Sequence, residues 1–191
     1  MTIVAAPAVA PAHTEWLYHH LSVTGPGAKL AAFRDGACGA GVIPWVLDFD
    51  RVQEDVFLRL AASPQRTLSM EGARLLAGEL RGAVSRRHAL AVGRVGRSRA
   101  CPFDLHALLP VPGAVLRLGP DNPEALAWLW AHWGTTAALR HVASLPPGSE
   151  GETAFGVSFW SADWTPWRAI TAVRDAWPGL LFDVRPVYDL A

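Results

Sequence analysis

One run of basic side chains in this sequence has the composition of a polyanion-binding surface. Residues 81–99, called here the basic segment, contain no aspartate or glutamate and six arginines: Arg81, Arg86, Arg87, Arg94, Arg97 and Arg99. Arginines so close together repel one another unless phosphates or an acidic surface supply the opposite charge. The basic segment therefore predicts contacts with nucleic acid or a nucleoprotein complex, and a solvated helix end is the alternative interpretation.

Tryptophan is concentrated in one part of the chain. Six of the nine tryptophans lie within residues 128–167 and are called here the aromatic platform: Trp128, Trp130, Trp133, Trp160, Trp164 and Trp167. Aromatic rings in such numbers either fill a hydrophobic core or stack on bases and anchor protein partners. Composition leaves both alternatives open.

The sequence contains no pattern that predicts covalent catalysis or a cofactor. The string nearest to the Gly-x-Ser-x-Gly nucleophile turn, at residues 156–159, lacks the second glycine. The histidines His19, His20, His132 and His141 include no HExxH motif and no pair four residues apart, so structural or surface roles are favoured. Phosphate-binding glycine motifs are missing as well. We predict a non-enzymatic protein with no catalytic residue and no cofactor.

Metal binding is not predicted either. The acidic string at residues 48–55 has neither the glycine nor the distal glutamate of a calcium loop, so a solvated helix start is predicted there. Cys38 and Cys101 are far apart and lie in no CxxC or Cys/His spacing. We expect two buried free thiols and no metal site.

Length and charge narrow the class of protein. A chain of 191 residues can bury a sizeable core in one domain, and its 17 basic and 17 acidic residues give zero net charge. Residues 1–15 are small and apolar but are interrupted by Pro7 and Pro11, which predicts a flexible tail rather than a signal or membrane segment. We expect a soluble, cytoplasmic protein that does not bind membranes.

Hydrophobic periodicity predicts the order of elements. The patterns of period 2 and period 3.6, with their caps and breakers, predict strands at 16–25, 138–145, 153–160 and 181–187, and helices at 28–37, 69–91 and 121–133 and after Trp164-Thr165-Pro166. The resulting fold class is α+β: a ferredoxin-like βαββαβ antiparallel sheet with two helices on one face. Residues 16–191 then form one domain, in which residues 42–130 are a long, mainly helical insertion.

Three shorter segments carry more local expectations. The apolar string at 42–47 contains Pro44, which limits it to the edge of a sheet. Prolines exclude a regular central strand at 101–112, which is predicted to be an apolar loop. Phe155 and Phe159 share one face of a predicted strand, where they either face the helices as core or stack on bases, and the core is favoured.

Four strings along the chain resemble the YubB-type ferredoxin-like domain of plasmid- and phage-associated bacterial proteins. They are His20-Leu21-Ser22-Val23-Thr24-Gly25, the FDLHALLPVP string at 103–112, Trp133-Gly134-Thr135-Thr136, and the FWSADWTP string at 159–166. The resemblance implies the ferredoxin-like fold and a mobile-element context. It transfers no catalytic residue to this chain.

Two functional hypotheses follow. The first is a nucleic-acid or nucleoprotein binder in which the basic segment contacts phosphates and exposed tryptophans stack on bases. The alternative is a protein-interaction module that uses exposed Trp and Arg side chains as anchors.

Four residues are predicted to be structural, because they lie at two corners between helices and strands: Trp133, Gly134, Trp164 and Pro166. The sequence does not set the oligomeric state.

Overall fold

The computed structural model describes residues 15–62, 68–146 and 154–187. Within these ranges the protein is a mixed α+β structure with a four-stranded antiparallel sheet and seven helices. In chain order the elements are β1 (Trp16–Thr24), α1 (Gly27–Ala37), α2 (Phe49–Ala62), α3 (Met70–Val92), α4 (Leu105–Leu108), α5 (Gly113–Leu116), α6 (Pro123–His132), β2 (Arg140–Ser144), β3 (Ala154–Ala162), α7 (Trp167–Ala176) and β4 (Leu181–Val187).

The sheet has the strand order β2-β3-β1-β4. β1 is central and pairs with β3 along its whole length, from Trp16 opposite Ala162 to Thr24 opposite Ala154. On its other side β1 pairs with β4, and the edge strand β2 pairs with β3. Because side chains alternate along each strand, this register fixes which residues share a face. The predicted β1, β3 and β4 agree with the observed strands to within two residues at each end.

One face of the sheet packs on α1 and α7 to form the core. Phe33 of α1 lies edge-on to Phe155 of β3 at a ring-centroid distance of 5.8 Å and to Phe182 of β4 at 5.3 Å. Ile170 and Val173 of α7 are buried in the same cluster. Phe155 and Phe159 are therefore core residues, as favoured by the sequence, and are not accessible to bases.

Local capping explains where the helices begin and end. The Ser69 side chain accepts a hydrogen bond of 3.0 Å from the backbone nitrogen of Gly72 and so caps α3. Asn122 caps α6 in the same way, with Pro123 in the first turn. Gly134 ends α6 at a φ of 77°, a conformation that strains any residue with a Cβ. These boundaries confirm the sequence predictions for both helices.

Two segments differ from expectation. Residues 43–48 form no strand, because the Trp45 nitrogen donates to the Ile43 carbonyl in a tight turn and the Val46 nitrogen donates to Leu116, so the segment is an irregular connection. The predicted loop at 101–112 contains the short helix α4. Asp104 caps this helix by accepting a hydrogen bond of 2.9 Å from the His106 nitrogen. A helix of four residues is too short to produce a periodic hydrophobic pattern in the sequence.

Helices α2 and α3 form a hairpin that packs chiefly against itself. No residue of α2 is buried, and in α3 only Ala73 and Ala77 are buried. Asp48 begins α2 by accepting hydrogen bonds from the nitrogens of Asp50 and Arg51, which confirms the helix start predicted from the acidic string.

Residues 1–14 of the predicted flexible tail fall outside the described ranges. The same is true of Ser63-Pro64-Gln65, which the sequence predicts to be a linker, and of most of the predicted turn Pro146-Pro147-Gly148-Ser149.

Candidate nucleic-acid interface

The basic segment carries less uncompensated charge than its sequence suggests. Arg81 of α3 lies 2.7 Å from a carboxylate oxygen of Asp50, because α2 packs alongside α3. Arg99 forms an ion pair with Asp35 and also donates to the Asp35 carbonyl. The expectation of six uncompensated arginines is therefore wrong for these two, whose partners lie in helices distant in sequence.

The other four arginines of the basic segment are exposed. Arg86 and Arg87 lie on the last turns of α3, and Arg94 and Arg97 lie in the turns that follow it. None of the four forms an ion pair within the residues that the structure describes. They are called here the free arginines, and their charge is available to an external anion.

The aromatic platform does not form one surface. Trp133 is fully buried, and its indole nitrogen donates a hydrogen bond of 3.1 Å to the Leu109 carbonyl. Trp128 stacks on His132 with ring centroids 4.1 Å apart, while Trp130 is half-buried elsewhere on α6. The prediction of a single platform is therefore wrong, because tryptophans that are close in sequence lie in different places: Trp133 is in the core and Trp128 packs against His132.

The residues predicted to be structural lie where the end of α6 meets the start of α7. Trp133, Gly134 and Pro166 are buried, and the Ala169 nitrogen donates to the Trp133 carbonyl at 3.1 Å. The Trp164 side chain, in contrast, is 58% exposed. A structural role for the Trp164 ring is therefore wrong, although its backbone carbonyl accepts a hydrogen bond from the Ser161 hydroxyl. Trp167 is also exposed, at 46%.

The sheet face opposite α1 and α7 carries a row of aromatic rings. Tyr18 of β1 lies directly across from Trp160 of β3, with ring centroids 5.2 Å apart. His20, two residues along β1, meets the edge of Tyr18 at 5.3 Å. Tyr18 and Trp160 are half-buried and His20 is exposed. The sequence signal for this face is the alternation of Trp16, Tyr18 and His20 along β1. The periodicity of these residues predicted a strand but did not indicate an aromatic surface.

A cation completes this row at the β2 edge. Arg140 pairs with Trp160 in the register, and its guanidinium carbon lies 4.0 Å from the centre of the Trp16 ring. Between Arg140 and Ala143 the register shifts by one extra residue in β2, and His141 adopts a φ of 49°. A bulge of this kind redirects the side chains beside it. We call Trp16, Tyr18, His20, Trp160 and Arg140 the aromatic sheet face.

Next to the aromatic sheet face is a shallow depression of about 340 Å³. His20 and Ser22 of β1 line it, together with Asp183 and Arg185 of β4. Arg185 lies 2.6 Å from a carboxylate oxygen of Asp183. The volume lies at the lower end of the range for small-molecule sites, and these polar side chains carry hydrogen-bond donors and acceptors.

The histidine nearest to hydroxyl groups is buried and serves the fold. His19 Nδ1 lies 3.0 Å from the Leu17 carbonyl, which can only accept, so Nδ1 donates and Nε2 accepts from the Thr165 hydroxyl at 2.8 Å. Burial lowers the pKa of His19 below its ordinary value. His20 points to the opposite side of the sheet, so the two adjacent histidines do not converge.

The cysteines and acids do not assemble a metal centre among the described residues. Cys38 and Cys101 are free thiols, but both are half-buried rather than buried, and the backbone of Cys101 forms a short bridge with Gly39. Burial raises the pKa of Cys101 to about 11, so this thiol is protonated at neutral pH.

Comparisons with known proteins add little to this geometry. No protein-family model matches the chain, and no curated protein sequence matches it. The crystal structure of a protein api92 from Yersinia pseudotuberculosis, with the family model DUF1281, is similar to this chain at 12% identity and a TM-score of 0.48, and the match covers 91% of this chain and 90% of that one. Within the described ranges, no helix is both long and apolar enough to cross a bilayer.

Proposed function

We propose that the protein is a non-enzymatic binder of single-stranded nucleic acid. The observation that carries this proposal is the aromatic sheet face, where Tyr18 and Trp160 stand side by side on the two central strands. Sheets that display aromatic rings in this way stack unpaired bases on them, because every base has a π face. Arg140 beside Trp16 supplies a cation next to the rings, where phosphates of a bound strand would pass.

The free arginines support a second contact region for the same ligand. Their charge is exposed and uncompensated within the described residues, and phosphate contacts by arginine account for most of the sequence-independent affinity of such proteins. Zero net charge over the whole chain means that these local groups, rather than an overall field, attract the ligand.

The strand order also supports the finer fold assignment. We propose that β1-α1-β2-β3-α7-β4 is a ferredoxin-like unit, since its two peripheral strands are β2 and β4 and both helices pack on one face. We further propose the mobile-element context implied by the YubB-type resemblance, together with a cytoplasmic location.

The stacking contribution is measured with Trp160→Leu and Tyr18→Leu. Leucine keeps an apolar side chain in the sheet but cannot stack on a base. Each substitution should weaken binding of a fluorescein-labelled oligo-dT or oligo-rU of about 20 nucleotides by about 5- to 150-fold, measured by anisotropy. Trp167→Leu is the matched control, because Trp167 is exposed but lies on α7, and it should leave affinity unchanged. Equal losses for Trp160→Leu and Trp167→Leu would remove the assignment of bases to the sheet.

The phosphate contribution is measured with the four free arginines replaced by glutamine. The variant should bind every oligonucleotide of equal length more weakly. For a single strand, the slope of log affinity against log salt should flatten by about 0.7 for each phosphate that the protein no longer neutralises. If the unmodified protein does not bind a single strand at about 50 mM salt, the proposed function is wrong, whether or not it binds duplex.

A protein partner is the second candidate. Trp164 and Trp167, 58% and 46% exposed around the Thr165-Pro166 turn, favour it, since exposed tryptophans are frequent anchors in protein interfaces. Binding through these rings would depend weakly on salt, whereas binding through phosphates falls steeply as salt rises. The salt titration described above therefore separates the two candidates.

A further inference from the structure

Helix α3 carries an apolar line that its own hairpin leaves exposed. Leu76 and Leu90 are 40% and 70% exposed, and Ala83 lies midway between them. Residues seven apart lie within about 20° of one line along a helix, so these three side chains form one straight row. Leu80, 42% exposed, flanks the same row. The side of α3 that packs on α2 is a different one, formed by Ala73 and Ala77.

Two charges beside this row have no partner in their own helix. Glu79 and Arg87 are exposed, and neither forms an ion pair within the described part of the chain. Helical ion pairs join residues three or four apart, and those positions around Glu79 and Arg87 hold no opposite charge. The two are about 12 Å apart along the axis, too far to pair with each other.

We propose that this face of α3 binds the same face of a second copy of the chain, antiparallel, across a two-fold axis at Ala83. Rotation about that axis places Leu76 against Leu90 of the other copy and Glu79 against its Arg87. Each contact occurs twice, as an isologous interface requires.

The order of residues favours a second copy over an unrelated partner. The apolar pair and the opposite-charge pair are both centred on the same residue, Ala83, so one symmetry operation satisfies both. The small side chain of Ala83 at the crossing point allows the two helix backbones to approach closely. In the dimer Arg87 is paired with Glu79 of the other copy, whereas Arg94 and Arg97 lie outside the helix contact and stay available to phosphates.

The face is tested by sedimentation velocity over a range of protein concentrations, with a matched pair of variants. Leu75 and Leu90 are 68% and 70% exposed on the same helix, but only Leu90 lies on the proposed face. Leu90→Glu should weaken self-association by more than about tenfold, and Leu75→Glu should not change it. A protein that is monomeric at every concentration up to about 100 μM, or equal effects of the two variants, would overturn the proposal.

The antiparallel register is tested by charge reversal in the same assay. Glu79→Arg and Arg87→Glu should each weaken association, because each places two pairs of like charges across the interface. The double variant should restore it, because the opposite charges face each other again. Failure of the double variant to restore association would overturn the register. Circular dichroism of every variant verifies that these exposed substitutions leave the helices folded.

Discussion

Two regions of the molecule bury their apolar residues to very different extents. One is the sheet with α1, α6 and α7, and the other is the α2–α3 hairpin. The first region encloses a continuous core that includes the fully buried Phe33, Leu129 and Trp133. The hairpin buries only two alanines, although its helices are the longest of the described part of the chain. Length and periodicity alone therefore do not indicate where the stability of this protein comes from. Its core region sets the fold, and its hairpin leaves apolar side chains exposed.

Among the predicted effects on stability, the largest should come from removing the largest buried ring of the core region. Trp133→Ala leaves a cavity in the core and the Leu109 carbonyl without its indole donor, so we expect the free energy of unfolding to fall by about 3 to 5 kcal/mol. Urea denaturation followed by circular dichroism measures the change. Leu75→Ala in the hairpin is the comparison and should change the value by no more than about 0.5 kcal/mol. A Trp133→Ala protein as stable as the unmodified one would contradict the core assignment.

Acidification should destabilise the core region through His19. Because burial lowers the pKa of His19 in the folded protein, the unfolded chain binds more protons once the pH falls below the ordinary value of 6.5. The contribution of neutral His19 to the free energy of unfolding is therefore fully present above pH 6.5. It is lost as the pH falls toward the pKa that His19 has in the folded protein. Burial lowers the pKa of His106 too, so both histidines contribute in the same direction.

Thermal melts between about pH 8 and pH 5 measure this loss of stability. His19→Gln should reduce the pH dependence of the melting temperature, since His106 alone then contributes. A pH profile identical to that of the unmodified protein would exclude His19 as a source of the effect.

The smallest effect should come from the ion pair that links the two helices of the hairpin. Asp50 is 86% exposed and Arg81 40% exposed, so water and salt screen their attraction. We expect a coupling energy of no more than about 1 kcal/mol from a double-mutant cycle with Asp50→Asn and Arg81→Gln. A larger coupling would mean that the hairpin is held together by charge rather than by packing.

Sequence patterns predicted the elements whose causes are local. Ser69, Asn122 and Gly134 act within one or two turns of their own positions, so the ends of α3 and α6 follow from the sequence. The surroundings of side chains depend on distant partners. Asp50 neutralises Arg81 from 31 residues away, and Trp160 meets Tyr18 only through strand pairing. The candidate interface therefore required the structure, whereas the four strands and the helices α1, α3, α6 and α7 could be predicted from the sequence.

The bridge between Gly39 and Cys101 has a consequence for how the chain folds. Their backbones exchange hydrogen bonds of 2.9 and 3.0 Å, so a segment of about 60 residues leaves the core region and returns at nearly the same point. Closing a flexible loop of that length costs about 4 kcal/mol of chain entropy. A hairpin of α2 and α3 that forms first shortens the flexible part of the loop, and we expect it to accelerate closure of the bridge.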